Sequence, residues 1–172
     1  MALNSFLKIK GQVQGDIKGG VTQKGREGKI MVIAFNHEVQ VQIDSATGHA
    51  TGKKIHHPFV ITKEIDKSTP LLYKALITNE TLVIWELQCF AIKSTGQEVN
   101  NYTVKLTNAK IIDILSTMLN NKIPENSKMP IMEEVSFVYE KIEWTWVDGG
   151  IVAMDDWNSN MNASAKKTKP KT

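Results

Sequence analysis

The sequence predicts a mainly β fold: a partly closed barrel or sandwich of two sheets, with one flanking α-helix over about 69–78 and a long extended loop over about 44–57. Three observations predict it. β-branched and aromatic residues gather in short runs separated by turn residues, the pattern of barrels and sandwiches. A single helix-start signature interrupts them. Hydrophobic residues make up 41% and charged residues 23%, as in an ordinary soluble domain, and 172 residues suffice to bury a core.

The elements follow in chain order. Ile30–Phe35 and Glu38–Ile43 are β-rich, and the second alternates apolar with polar residues. The stretch from Asp44 to His57 is polar, holds Gly48 and Gly52, and lacks a strand pattern; connections that long are uncommon unless they do a job. Phe59–Thr62 is a further strand. Asp66-Lys67-Ser68-Thr69-Pro70 is the helix start, where Ser68 or Thr69 can cap and Pro70 suits the first turn. Leu72, Ala75 and Leu76 then share one face, Tyr73 lies beside them, and Thr78-Asn79-Glu80 ends the helix. Thr81–Leu87, Tyr102–Leu106 and Ile111–Leu115 are strands, and Asn120–Pro130 is a second polar connection. The longest alternation runs from Val135 to Trp146. Val135, Phe137 and Tyr139 point one way and Ile142, Trp144 and Trp146 the other, which predicts a bulge near Lys141 and puts both tryptophans in the core. Residues 1–158 read as one domain, and 159–172 as a disordered, lysine-rich tail.

Charge argues against nucleic acid as a partner. Four lysines lie in the last seven residues; without them the net charge of +3 becomes −1, and Arg26 is the one arginine in the chain. No apolar run approaches the ~18 residues of a membrane span, so no direct membrane insertion is expected. Lysines interrupt the N-terminal apolar stretch too early for a signal peptide, which predicts a cytoplasmic product that leaves the cell, if at all, without a cleaved leader. Cys89 stands alone in an apolar run and reads as a buried structural thiol.

The sequence carries no recognisable catalytic or cofactor-binding pattern. The glycines before Gly28-Lys29 and Gly52-Lys53 miss the phosphate-loop spacing, since Gln23 and Thr47 stand where glycine is needed. His37, His49, His56 and His57 have no second ligand at zinc-like spacing and read as exposed loop residues. Asp155-Asp156 and Glu133-Glu134 read as solvated pairs. No enzyme, metal or cofactor is expected.

Four stretches, in this order along the chain, resemble the haemolysin-coregulated protein family. They are Asp16-Ile17-Lys18-Gly19 with Arg26-Glu27-Gly28, then Thr51–Phe59, then Thr62–Ala75 running a strand into the helix, and finally Tyr139–Trp146 with Asp148-Gly149-Gly150 and Asp155–Asn158. The resemblance implies a tube component and secreted protein of a bacterial type VI secretion system. It implies a homo-hexameric ring, stacking into an inner tube that a contractile sheath expels, with a spike protein at the tip and effectors in the lumen. In that setting the 44–57 arm has a use as a contact to a neighbouring subunit or ring, with Thr47, His49, Thr51, Lys53 and His56 as the contact residues. Some members carry a toxin domain after the barrel; the short tail here implies the plain tube form. The alternative reading is a β-barrel module for a small ligand or carbohydrate, with Trp85, Trp144, Trp146 and Trp157 as stacking platforms.

Overall fold

The computed structural model describes residues 3–157, so the predicted 159–172 tail lies outside the described residues. Its elements are β1 (Ser5–Gly11), β2 (Gly15–Ile17), β3 (Ile30–Val32), β4 (Ala34–Asn36), β5 (Val39–Ile43), β6 (Ala50–His56), β7 (Phe59–Glu64), α1 (Thr69–Ile77), β8 (Leu82–Ile92), β9 (Glu98–Thr107), β10 (Lys110–Thr117), a 3₁₀ turn (Pro124–Asn126), β11 (Met132–Val138), β12 (Lys141–Trp146) and β13 (Ile151–Asp156). The larger sheet runs β13-β12-β9-β8-β1-β2, with β3 also paired to β1; the smaller runs β10-β11-β7-β4; β5 and β6 form a separate hairpin. The two sheets pack face to face, and no strand pairing closes them into a complete barrel among the described residues.

Inward side chains of both sheets make the core. Leu7, Ile9, Trp85, Leu87, Val104, Leu106 and Ile142 come from the larger sheet; Phe59, Ile61, Ile111, Val135 and Phe137 come from the smaller. Trp85 joins the layers, its ring meeting Phe59 at 5.0 Å and Phe137 at 5.4 Å, both edge-on. Leu72 and Ala75 of α1 are buried in the same cluster, and Leu71 and Leu76 pack against it.

The chain changes sheet where the sequence reading expected continuity. Ile30–Phe35 is not one strand: β3 belongs to the larger sheet and β4 to the smaller, with the Ile33 N–H bonded to the Thr62 carbonyl at the step. The phase change near Lys141 is likewise a crossing between sheets rather than a bulge. β11 ends at Val138 in the smaller sheet and β12 starts at Lys141 in the larger. Val135, Phe137, Tyr139 and Ile142 are therefore all buried in one core. Trp144 packs against that core, but Trp146 is 46% exposed, contrary to its expected core position.

Helix α1 starts and stops by local chemistry. Ser68 is the N-cap residue but makes no side-chain cap; the Asp66 carboxylate accepts from the Ser68 N–H and hydroxyl instead. Pro70 sits exposed in the first turn, and Tyr73, partly exposed, hydrogen-bonds through its hydroxyl to Ser116 at 3.0 Å. At the far end Asn79 adopts φ 50°, its N–H bonds to the Leu76 carbonyl, and the Glu80 N–H reaches back to Ala75. This is the Schellman ending. Glu80, itself buried, then accepts the Val13 and Gln14 N–H groups at 2.7 and 2.9 Å, which fixes the β1–β2 turn to the end of the helix.

One buried ion pair links strand to strand. Lys63 and Glu133 are register partners on β7 and β11, and their charged atoms lie 2.6 Å apart. Both side chains are shielded from solvent, and the Thr69 hydroxyl donates to the same carboxylate oxygen at 2.8 Å. Glu133 is thus part of the interior, not of a solvated acidic pair.

Candidate functional site

The extended loop predicted over 44–57 is the outer part of a hairpin arm. β5 and β6 pair antiparallel, with Val39 opposite His56, Val41 opposite Lys54 and Ile43 opposite Ala50. Polar residues such as Thr51 and Lys53 hid the strand because the arm buries neither face; without a core to face, no apolar alternation is needed in β6. The tip turns on Asp44, whose carboxylate accepts the Ala46 and Thr47 N–H groups, and on Gly48, with φ 72°.

All five residues of β5 are exposed. Val39, Val41 and Ile43 lie on one side of the strand, with Ile43 68% exposed. Such an exposed apolar row on a projecting hairpin is the mark of a surface that meets another molecule. Thr47, His49, Thr51 and Lys53 are exposed along the outer arm, as a contact role requires. His56 is not. It is 8% exposed and spends both ring nitrogens inside the chain, so it belongs to the arm's root and not to its contact face. A second apolar surface lies on β13, the free edge of the larger sheet, where Ile151, Val152 and Met154 are exposed.

The root of the arm is a connected polar cluster. The His56 Nε2–H donates to Asp155 on β13 at 2.7 Å, and Lys54 pairs with the same carboxylate. His56 Nδ1 lies 2.9 Å from the Tyr139 hydroxyl, and His37 Nε2 lies 2.7 Å from it on the other side. His37 also stacks on Phe59 at 5.0 Å, and the ring of Trp157 lies 5.5 Å from that of His56. Burial, then the charge of Asp155, pushes the Tyr139 phenol above its ordinary range. Burial opposes ionisation of Asp155, but hydrogen bonds from Lys54 and His56 outweigh it and hold the carboxyl below the usual range. His37 is held low by burial, then by His56 and His57.

Several expectations change here. His37 and His56 are not exposed loop residues, and Asp155 is not merely solvated. Trp85 is enclosed in the core, which removes it as a sugar platform; Trp146 and Trp157 are partly exposed on separate strand ends. Cys89 is only partly buried, with its thiol raised chiefly by burial. Among the described residues no group of three or more His, Cys, Asp or Glu side chains is arranged to hold a metal ion. Sequence reasoning missed Tyr139, Asp155 and Lys54 as partners of His56, because they come from segments far apart in the chain.

Comparison with known proteins fits this architecture. The family described as "Type VI secretion system effector, Hcp" matches residues 6–146. This chain belongs to the Hcp family. The "Major exported protein" of Pseudomonas aeruginosa is 38% identical over 168 residues, spanning 92% of this chain and 98% of that protein. Among solved structures, Hcp1 of the E. coli EAEC 042 pathovar, in a mutant form, is 39% identical with a TM-score of 0.80, over 90% of this chain and 99% of that one. The secreted protein Hcp3 of Pseudomonas aeruginosa is 34% identical with a TM-score of 0.73, over 89% of this chain and 99% of that one. The region the family matches takes in the smaller sheet, the helix, the arm and the larger sheet as far as β12.

Proposed function

We propose that this chain is a tube subunit and exported product of a type VI secretion system, and that it acts by assembly and not by catalysis. Six copies form a ring, rings stack into the inner tube, and the tube is expelled by a contractile sheath behind a spike, with effectors carried in its lumen. The chain is exported from the cell, in keeping with its likeness to the "Major exported protein" of Pseudomonas aeruginosa. Residues to 158 act as the assembling domain.

The observation that carries the reading is the arm's exposed apolar row, Val39, Val41 and Ile43, projecting from a body that does not use it. A subunit offering one surface to a different surface of its neighbour generates closed rings when the rotation closes. The free β13 edge with Ile151, Val152 and Met154 offers a second surface within the body. Thr47, His49, Thr51 and Lys53 then supply polar contacts at the rim of the arm's interface.

Light scattering on a size-exclusion column, followed by negative-stain imaging of the peak, tests the ring directly. Replacing residues 44–53 by a short Gly-Ser turn should leave the body folded while impairing stacking and export. A chain that stays monomeric at high concentration overturns the reading, and so does a shortened arm that still stacks and exports in full.

A further inference from the structure

The core side of the larger sheet is covered at one end and bare at the other. Along β12 the side chains on that face are Ile142, Trp144 and Trp146, since every second residue of a strand shares a face. Ile142 is fully buried, Trp144 packs against the core, and Trp146 is exposed. The neighbouring strands repeat the gradient. On β9 it runs from buried Leu106 and Val104 to half-buried Tyr102, the register partner of Trp146, and on β13 the other partner of Trp146, Ile151, is exposed. Between the β8–β9 hairpin and the β12–β13 turn this bare end forms a recess of about 360 Å³, lined among others by Val99, Trp146 and Val147.

An uncovered indole beside an uncovered isoleucine is apolar surface that a partner can remove from water. We infer that this recess receives the apolar row of the arm, Val39, Val41 and Ile43, from a second copy of the chain, which rests on the assembly reading above and supplies the surface that the arm meets.

Position makes the occupant a second copy. The arm is tied through His56 to Asp155, which pairs with Ile142 at the covered end of β12 and β13. The recess lies at the other end of the same two strands, where Trp146 pairs with Ile151. Row and recess are both exposed in one chain, so a chain does not cover its own recess with its own arm. Arm to recess is a heterologous contact, in which each copy gives one surface and receives on another.

Charge supports the same pairing. Lys53 lies on the arm beside the row, and Asp148 lies in the turn beside Trp146 and lines the recess. Both are exposed, and among the described residues neither has an ion-pair partner within the chain, whereas the arm's other lysine, Lys54, is already held by Asp155. Lys93, on the opposite wall of the recess, has its counterpart in Asp44 at the arm tip. An apolar centre flanked by opposite charges on each side fits the arrangement of a specific interface, with the aromatic anchor in the middle and the charges at the rim.

Cross-linking between two variants tests the contact in the full chain. Ile43→Cys and Ile151→Cys, each combined with Cys89→Ser, are mixed and treated with a short bismaleimide, and the same mixture is sized by light scattering. The reference is Ile43→Cys mixed with Ile77→Cys, which puts the second thiol on the exposed face of α1. Docking brings the paired thiols to a local concentration of about millimolar, so at micromolar protein the Ile43–Ile151 product should form at least about tenfold faster than the reference product. Lys53→Glu should slow that product about two- to fivefold, the size of an exposed ion pair, and Asp148→Lys in its partner should restore the rate. Trp146→Ala changes an exposed side chain and keeps Cys89, so it stands even where Cys89→Ser does not fold; it should weaken assembly by roughly thirtyfold, as for a central aromatic anchor. A mixture that assembles while the Ile43–Ile151 product forms no faster than the reference overturns the recess and leaves the tube reading intact, and Trp146→Ala that assembles like the native chain does the same. A chain that stays monomeric at high concentration overturns both.

Discussion

Replacing Lys63 by Met is a sharp test of how the smaller sheet is held. Methionine preserves most of the aliphatic bulk, and volume-conserving changes alone cost under about 1.5 kcal/mol. The charge is another matter. Lys63 and Glu133 are 2.6 Å apart with side chains 1% and 0% exposed, and Glu133 Oε2 already lacks a hydrogen-bond partner. Without Lys63 the carboxylate keeps only the Thr69 hydroxyl. Breaking a buried pair from one side costs about 3–5 kcal/mol, and at 2–4 °C per kcal/mol for a domain of this size the midpoint should drop by roughly 6–20 °C. Urea unfolding followed by tryptophan fluorescence measures the free-energy loss and a thermal melt the midpoint, both at one fixed protein concentration because self-association shifts apparent stability. Lys63→Met with Glu133→Leu should recover most of the loss, since an apolar pair often replaces a buried ion pair at no net cost. A single-variant loss below about 1 kcal/mol, or a double variant no better than the single, refutes the reasoning.

Three further outcomes follow from other parts of the molecule. Gly19→Ala would place a Cβ 2.5 Å from the Lys29 carbonyl oxygen and 2.6 Å from the Ile30 Cα, both backbone atoms, so it should lose about 1–3 kcal/mol in the same urea assay. Trp85→Ala empties the junction between the two sheets and should cost about 3–5 kcal/mol, seen as a lowered calorimetric midpoint. Asp66 is held below the usual carboxylate range: burial opposes ionisation, but the Ser68 hydroxyl, the Gly20 N–H and Lys63 outweigh it. A depressed folded value gives stability that is present above the unfolded value, about 3.9, and is lost as pH falls through the folded one. Asp66→Asn should therefore destabilise the chain near neutrality while flattening the acid limb of a pH–stability profile.

Much of the fold is legible because sheets sort residues by period. Phe59, Ile61, Val135 and Phe137 alternate with half-exposed neighbours, and each is buried where the alternation puts it. Helix α1 is legible from Pro70 onward because its start and stop depend on neighbours a few residues away. The errors share a cause. Alternation tells which residues share a face, not which sheet the strand joins, so β3–β4 and β11–β12 each looked continuous across a change of sheet. The period resets at Ile33 and again at Tyr139-Glu140, and both resets fall where the chain crosses between layers.

The arm and its root mark the limit more sharply. Val39, Val41 and Ile43 carry the alternation of a half-buried strand, and the body buries none of them. That mismatch between pattern and burial is itself the evidence for an outside partner, and it becomes visible only when both are in hand. Lys63 and Glu133 were in principle readable, since each is a charge at an inward position of an apolar alternation, in β7 and β11, and two such anomalies of opposite sign call for each other. Asp155 and His56 offered no such cue. Nearly a hundred residues separate them, β13 exposes most of its side chains, and β6 looks like polar loop. Their pairing depends on how the hairpin folds back over a sheet edge, a relation between elements that local spacing does not encode.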